Sequence, residues 1–145
     1  MRPILALSLF VALLAPVSFA HADASQAGQI TPAFNKPSDA MDPKHHPKIT
    51  APAKVRAGEW FDVTIEIGSG MRHPSFAEHS VRYITLLADD VEIARVYLHP
   101  VMSSPKVTLT IALNEGFKTL KAVEVPNHAA EFYAVQPIEV LPASK

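Results

Sequence analysis

Cysteine is absent from all 145 residues. No disulfide can staple this fold, no thiolate can hold a metal, and neither thiol nucleophile nor persulfide chemistry is open to the chain. Stability must therefore come from the core alone. Glycine is scarce, five residues against 13 prolines, and with 48% hydrophobic residues the composition fits one compact domain without room for a second. An excess of positive charge is missing as well: 13 basic residues face 14 acidic ones. Such a balance creates no polyanion-attracting field, and nucleic acid is excluded as a partner. A hydrophobic run of membrane-spanning length is also lacking, because the apolar stretch at residues 4–15 is too short.

That short run has another reading. Arg2 provides a charged start, the apolar stretch follows, and Pro16 precedes a small-residue site at Ala20-His21-Ala22. This is the layout of a cleaved secretory signal over residues 1–22, leaving 123 residues in a periplasmic or secreted protein with no membrane segment. Residues 23–41 are polar and small, carry Pro32 and Pro37, and show neither period 2 nor period 3.6, so a flexible leader is expected. Order is expected from Asp42-Pro43-Lys44-His45-His46-Pro47, where two close prolines exclude a helix interior. The domain then runs over residues 42–145.

Strand signals dominate this domain. Residues 48–56 read as a first strand segment and Ala57-Gly58-Glu59 as a turn. Phe61, Val63, Ile65 and Ile67 alternate with Asp62, Thr64 and Glu66, the pattern of a half-buried strand. Residues 81–87 and 91–98 form a hairpin around Asp89-Asp90, which is turn chemistry and lacks the oxygens of a calcium site. Val107, Leu109, Ile111 and Leu113 repeat the alternation, Asn114-Glu115-Gly116 turns, residues 118–125 return, and residues 132–140 make a last strand. About seven short strands without a helix predict an all-β, immunoglobulin-like antiparallel β-sandwich. Trp60 and Phe61 are read as packing residues, and Arg72 and Arg82 as solvated charges beside a turn.

Seven histidines remain to be placed. His21 leaves with the signal, His45 and His46 open the ordered domain, His73 and His79 flank a Pro-containing loop, His99 ends a strand, and His128 lies in the turn before the last strand. Imidazole is the commonest side-chain ligand for a transition metal, and a sandwich gathers distant turns at its poles. Four imidazoles from three segments can meet on one ion. Spacing alone leaves the other reading open, in which each is an ordinary loop histidine.

The order of these motifs resembles one family. Lys44-His45-x-Pro47-x-Ile49, Val55-x-Ala57-Gly58-Glu59-x-Phe61-x-Val63-Thr64, His73-Pro74-x-x-x-Glu78-His79 and Ile84-x-Leu86 follow the iron-binding domain of superoxide reductases, the neelaredoxin and desulfoferrodoxin group. The resemblance covers most of the chain from Lys44 to His128. It implies a mononuclear non-haem Fe(II) held by His45, His73, His79 and His128, with Lys44 attracting superoxide and assisting its protonation. It also implies reduction of superoxide to hydrogen peroxide, with electrons from a separate donor protein. Two positions depart from the family. Its axial cysteine, in a Cys-Asn-x-His motif, is replaced within Val125-Pro126-Asn127-His128, and the glutamate before Lys-His is Pro43, with Asp42 one place earlier. Without a thiolate pushing electron density onto iron, the site is expected to be harder to oxidise. Glu124, Met71, Met102 and Tyr133 are the candidates for a fifth ligand.

Two other functions compete. Four imidazoles also suit copper, zinc, nickel or cobalt, which would make the chain a non-catalytic exported metal-binding module. Separately, Ala94-Arg95-Val96-Tyr97-Leu98-His99-Pro100 with Ser103-Ser104-Pro105 is similar to a segment of SoxZ-like subunits of periplasmic sulfur-oxidation carriers, which pair with a cysteine-tailed partner. Nothing in the sequence opposes a homo-oligomer. Expression with export should yield a mature chain beginning at Asp23. N-terminal sequencing checks this, and an intact Met1 would remove the export reading.

Overall fold

The computed structural model describes residues 41–144. The expected signal and, apart from Met41, the expected leader lie outside the described residues. Within them the chain forms nine β-strands and no helix: β1 (Pro47–Thr50), β2 (Lys54–Arg56), β3 (Phe61–Ile67), β4 (Val81–Ala88), β5 (Val91–Tyr97), β6 (Lys106–Ile111), β7 (Thr119–Pro126), β8 (Phe132–Pro137) and β9 (Glu139–Leu141). They assemble as a three-stranded sheet β1-β3-β6, a four-stranded sheet β5-β4-β7-β8, and a small pair β2-β9. The sandwich expected from the alternation is what the chain builds.

Two of the expected strands each divide in two. Residues 48–56 break at Ala51-Pro52-Ala53, because proline has no N–H for the ladder. Residues 132–140 break at Pro137 and Ile138, where the chain changes sheets. Ile138 donates its N–H to the Lys118 carbonyl at 2.9 Å, and Glu139 to the Ala53 carbonyl at 2.9 Å. Ile138 itself turns into the core. The fragments freed by these breaks, β2 and β9, then pair with each other in parallel, the exception to an otherwise antiparallel ladder.

The central strand of the three-stranded sheet, β3, shows why the pattern works. Val63, Ile65 and Ile67 are wholly buried on β3, facing Ile84, Leu86 and Ala88 of β4 and Leu120 and Ala122 of β7 within one cluster. Each large aliphatic side chain withdrawn from water contributes roughly 1.5–3 kcal/mol. The outward face of β3 is polar and paired: Thr64 meets Thr108 at 2.9 Å, and Thr110 donates to Asp62 at 2.6 Å. A one-residue slip would bury these pairs, so the register is fixed by both faces.

Beyond β3 the chain must reverse sharply to present residues 71–79. Gly68 makes this possible, with φ at 96° and no space for a Cβ, which would run into the Met71 carbonyl. Gly70 sits against Pro43 so closely that a Cβ would lie 2.8 Å from the proline's own Cβ, and the N–H groups of Gly70 and Met71 both donate to the Pro43 carbonyl at 3.1 Å. The loop after β3 is thus tied to the turn that leads into β1.

At the far hairpin, Asp89 adopts φ 49°, and its Oδ1 accepts from the N–H groups of Lys118 and Thr119 and from the Thr119 hydroxyl. These bonds, led by the hydroxyl, hold its carboxyl below the ordinary value of 3.8. A depressed folded-state pKa means stability present above the unfolded value and lost as pH falls through the folded one. Asp89→Asn, which tolerates the same backbone, should melt below the parent at pH 7, and the gap should shrink below about pH 4. Thermal melts across pH check this; a gap unchanged at acid pH would remove the carboxylate from the account.

Candidate metal centre

Each of the four histidines is delivered by a different local device. Asp42 builds the first: its Oδ1 accepts from the N–H of Lys44 at 2.8 Å and of His45 at 3.2 Å, while its carbonyl accepts from His46 at 2.8 Å. This Asx-type turn, with the Lys44 bond as the main cause, lowers the Asp42 carboxyl and aims His45 inward. His73 is drawn back onto the sheet end by its N–H bond to the Ile67 carbonyl at 3.0 Å. His79 closes a small turn in which Phe76 and His79 exchange backbone bonds of 2.9 and 3.2 Å.

Asn127 positions the fourth. Its backbone N–H donates to the Ser80 carbonyl, its Oδ1 accepts from the Ser80 N–H, and its Nδ2 donates to the Ala77 carbonyl, all at 3.0 Å. That network fixes which way the amide faces, so His128 Nδ1–H donates to Asn127 Oδ1 at 3.0 Å. One side chain therefore locks the His79 loop to the His128 turn.

The result is a single cluster: one ring nitrogen from each of His45, His73, His79 and His128 lies within 4.8 Å of every other. Ring centroids define its shape. Neighbours are 4.7 Å apart for His45 and His73, 5.1 Å for His45 and His128, 3.9 Å for His79 and His128, and 4.8 Å for His73 and His79. The remaining pairs are longer, 6.0 Å for His45 and His79 and 5.9 Å for His73 and His128. Four short edges and two long diagonals describe a quadrilateral, whereas a tetrahedral set would give six similar distances. His45 and His73 are buried, His79 is half-buried and His128 is exposed, so the cluster opens to solvent at one side.

Protonation favours the ligand form. His73 Nδ1–H donates to the Pro74 carbonyl at 2.7 Å, leaving the lone pair on Nε2. Burial is the main force pushing His73 down to about 4, so the ring is neutral at physiological pH. Burial also lowers His45 and His128. The Nε2 atoms of His73 and His79 are buried and meet no hydrogen-bond partner among the described residues. Orphaned buried acceptors are costly unless something fills the gap, and a cation at the shared point would do so. Four nitrogens within 4.8 Å of one another are close enough to share one ion at metal–imidazole bond lengths of about 2.1 Å. The donor set fits a transition-metal ion.

Other candidates fall elsewhere. His46 lines a different surface beside Pro47 and Ile49, and His99 is exposed with its Nδ1 donating to the Pro100 carbonyl at 2.6 Å. Met71 and Met102 are 54% and 76% exposed, which makes them surface residues. Glu124 is buried behind His45, its Oε1 2.9 Å from Nδ1, on the edge of the ring remote from Nε2. Lys44 is exposed on the same turn that carries His45. Phe132, which the sequence did not single out, stacks on His45 with centroids 4.7 Å apart and planes at 16°. Asn127 was equally silent, although an asparagine at a strand end is a standing turn signal.

The chain is thus an all-β sandwich whose turns before β1 and β8 and whose loop between β3 and β4 bring four imidazoles together. A family model described as Desulfoferrodoxin matches residues 37–129, and the chain belongs to that family. A superoxide reductase (neelaredoxin) of Ignicoccus hospitalis is 34% identical, with a TM-score of 0.60 over 67% of this chain and 81% of that one. A Thermotoga maritima structure provisionally named superoxide reductase is 26% identical, with a TM-score of 0.63 over 83% of this chain and 99% of that one. A curated Thermotoga maritima relative of the same provisional name is 37% identical over 51 residues, 35% of this chain. The chain spans 39% of that relative's length in the match.

Loading the full chain with a divalent transition metal should give one ion per molecule. The double variant His73→Ala, His79→Ala should lose it, since two adjacent corners disappear. Elemental analysis of both proteins decides, and equal metal in the two would dissolve the assignment.

Proposed function

We propose that the chain is an exported, superoxide-reductase-like metalloprotein whose metal is held by His45, His73, His79 and His128. The observation that supports it most directly is the quadrilateral of imidazoles, two with orphaned buried nitrogens, in a member of the desulfoferrodoxin family. Iron(II) bound at this point would supply one-electron reducing chemistry. The chain's own residues prepare the rest. Lys44, exposed beside His45, places a positive charge where a small anion approaches, and the solvent-open side at His128 admits it. Protons come from water at that side. Reduction of superoxide to hydrogen peroxide takes one electron and two protons, and with no cysteine or second cofactor motif in the sequence the electron comes from a separate donor protein.

The reading as an exported metal-binding module without turnover draws on the same cluster and differs only in chemistry. Val125 stands within the stretch where the family carries its cysteine, and it is 8% exposed and apolar. Pulse-generated superoxide separates the two readings. A reductase forms one hydrogen peroxide per superoxide and oxidises its metal stoichiometrically, whereas a holding site does neither. For the reductase, Lys44→Ala should slow the reaction by about tenfold at low salt and flatten its ionic-strength dependence. A rate and salt slope equal to the parent's would exclude steering by Lys44.

A further inference from the structure

Strand β7 carries an anomaly that the four histidines alone do not explain. Its core-facing positions run Leu120, Ala122, Glu124, and the first two join the apolar cluster. At the third, a carboxyl group takes the inward register, opposite Ile84 of β4 and Phe132 of β8, wholly buried and pushed up to about 9 by that burial. An apolar side chain there would simply extend the core. Instead the protein buries a group whose desolvation is expensive, and the partner it finds among the described residues is His45 Nδ1 at 2.9 Å. Its other oxygen, Oε2, is buried with no partner among the described residues. A group so weakly compensated in stability is kept for what it does to its one neighbour.

We propose that Glu124 is a positioning residue for the four-histidine centre. It holds the His45 ring with Nδ1 as donor and Nε2 toward the shared point. This rests on the metal reading of the cluster. With a divalent cation at Nε2, Nδ1–H donates to Oε1, and the ring gains electron density from the carboxylate through that bond. His73 and His128 have their Nδ1 atoms on neutral oxygens, the Pro74 carbonyl and the Asn127 amide. His45 is the corner backed by a carboxylate. In a chain without cysteine, Glu124 reaches this corner from the buried side and leaves the open side free.

Three full-length mature proteins test this, the parent, Glu124→Gln and Glu124→Leu, each titrated with Co(II) against a chelator and followed by the visible bands of the ion. Glu124→Leu should bind Co(II) about 10- to 100-fold more weakly than the parent. Its metal-free melting temperature should hold or rise, because a costly buried carboxyl whose Oε2 meets no partner gives way to an apolar side chain. A merely structural residue would move both quantities downward together. Glu124→Gln keeps a carbonyl acceptor for Nδ1–H, so it should recover most of the affinity. Lacking the charge, it should still raise the midpoint potential of the iron-loaded protein. Co(II) affinity and bands in Glu124→Leu equal to the parent's would overturn the proposal. If that variant does not fold, Glu124→Gln decides: a raised potential sustains the role and an unchanged one overturns it. A parent that binds no Co(II) would overturn the metal reading itself and this role with it.

Discussion

Everything at the working pole of this sandwich depends on one constraint: imidazoles pushed out of water must keep a lone pair and stay uncharged. Burial lowers His45, His73 and His128, and the four rings would repel one another if protonated together. The neutral ring that results is the form a transition metal takes. Desolvation, which elsewhere in the chain only stabilises aliphatic contacts, here also tunes the chemistry. The apolar core and the candidate metal centre are two outcomes of withdrawing side chains from the same solvent.

Holding four rings at a common point is then a problem of backbone. None of the four sits in the middle of a strand; each rides a turn that some other residue shapes. Asp42 shapes the His45 turn, Gly68 and Gly70 let the His73 loop fold against Pro43, and Asn127 joins the His79 and His128 segments through three bonds. These supports are small and polar, and they act by satisfying or crowding backbone groups. Rigid sheets on either side limit how far the turns can drift, which is why loops can carry a geometry this close.

Much of the fold was legible because half-buried strands announce themselves. Val63, Ile65 and Ile67 alternate against Asp62, Thr64 and Glu66, and the structure buries the first set and pairs members of the second across the sheet. The change of sheet at Pro137 and Ile138 was not legible, since Ile138 reads equally well as one more residue of a continuing strand. Its partners, Lys118 and Ala53, are remote in sequence. For the site, spacing and sandwich geometry left ordinary loop histidines as a full alternative, and it was the resemblance that singled out His45 and His128 to join His73 and His79. Convergence is a property of where turns meet, which spacing does not encode. Glu124 is the intermediate case. Its place in the inward register after Leu120 and Ala122 was visible in the alternation, but its partner was not, so it read as a candidate ligand when the structure puts it behind one.

The loss of cysteine and the burial of Glu124 bear on the same electronic question from opposite sides. An axial thiolate donates directly to a metal, while a carboxylate behind an imidazole donates through a hydrogen bond and a ring, a weaker and more indirect path. Potential and affinity need not follow each other here. A carboxylate-backed histidine strengthens the hold on any divalent ion, whereas only direct thiolate donation pushes hard toward the higher oxidation state. On the proposed reading, a four-histidine quadrilateral with Val125 in the stretch of the family's cysteine would retain a metal first and release an electron second.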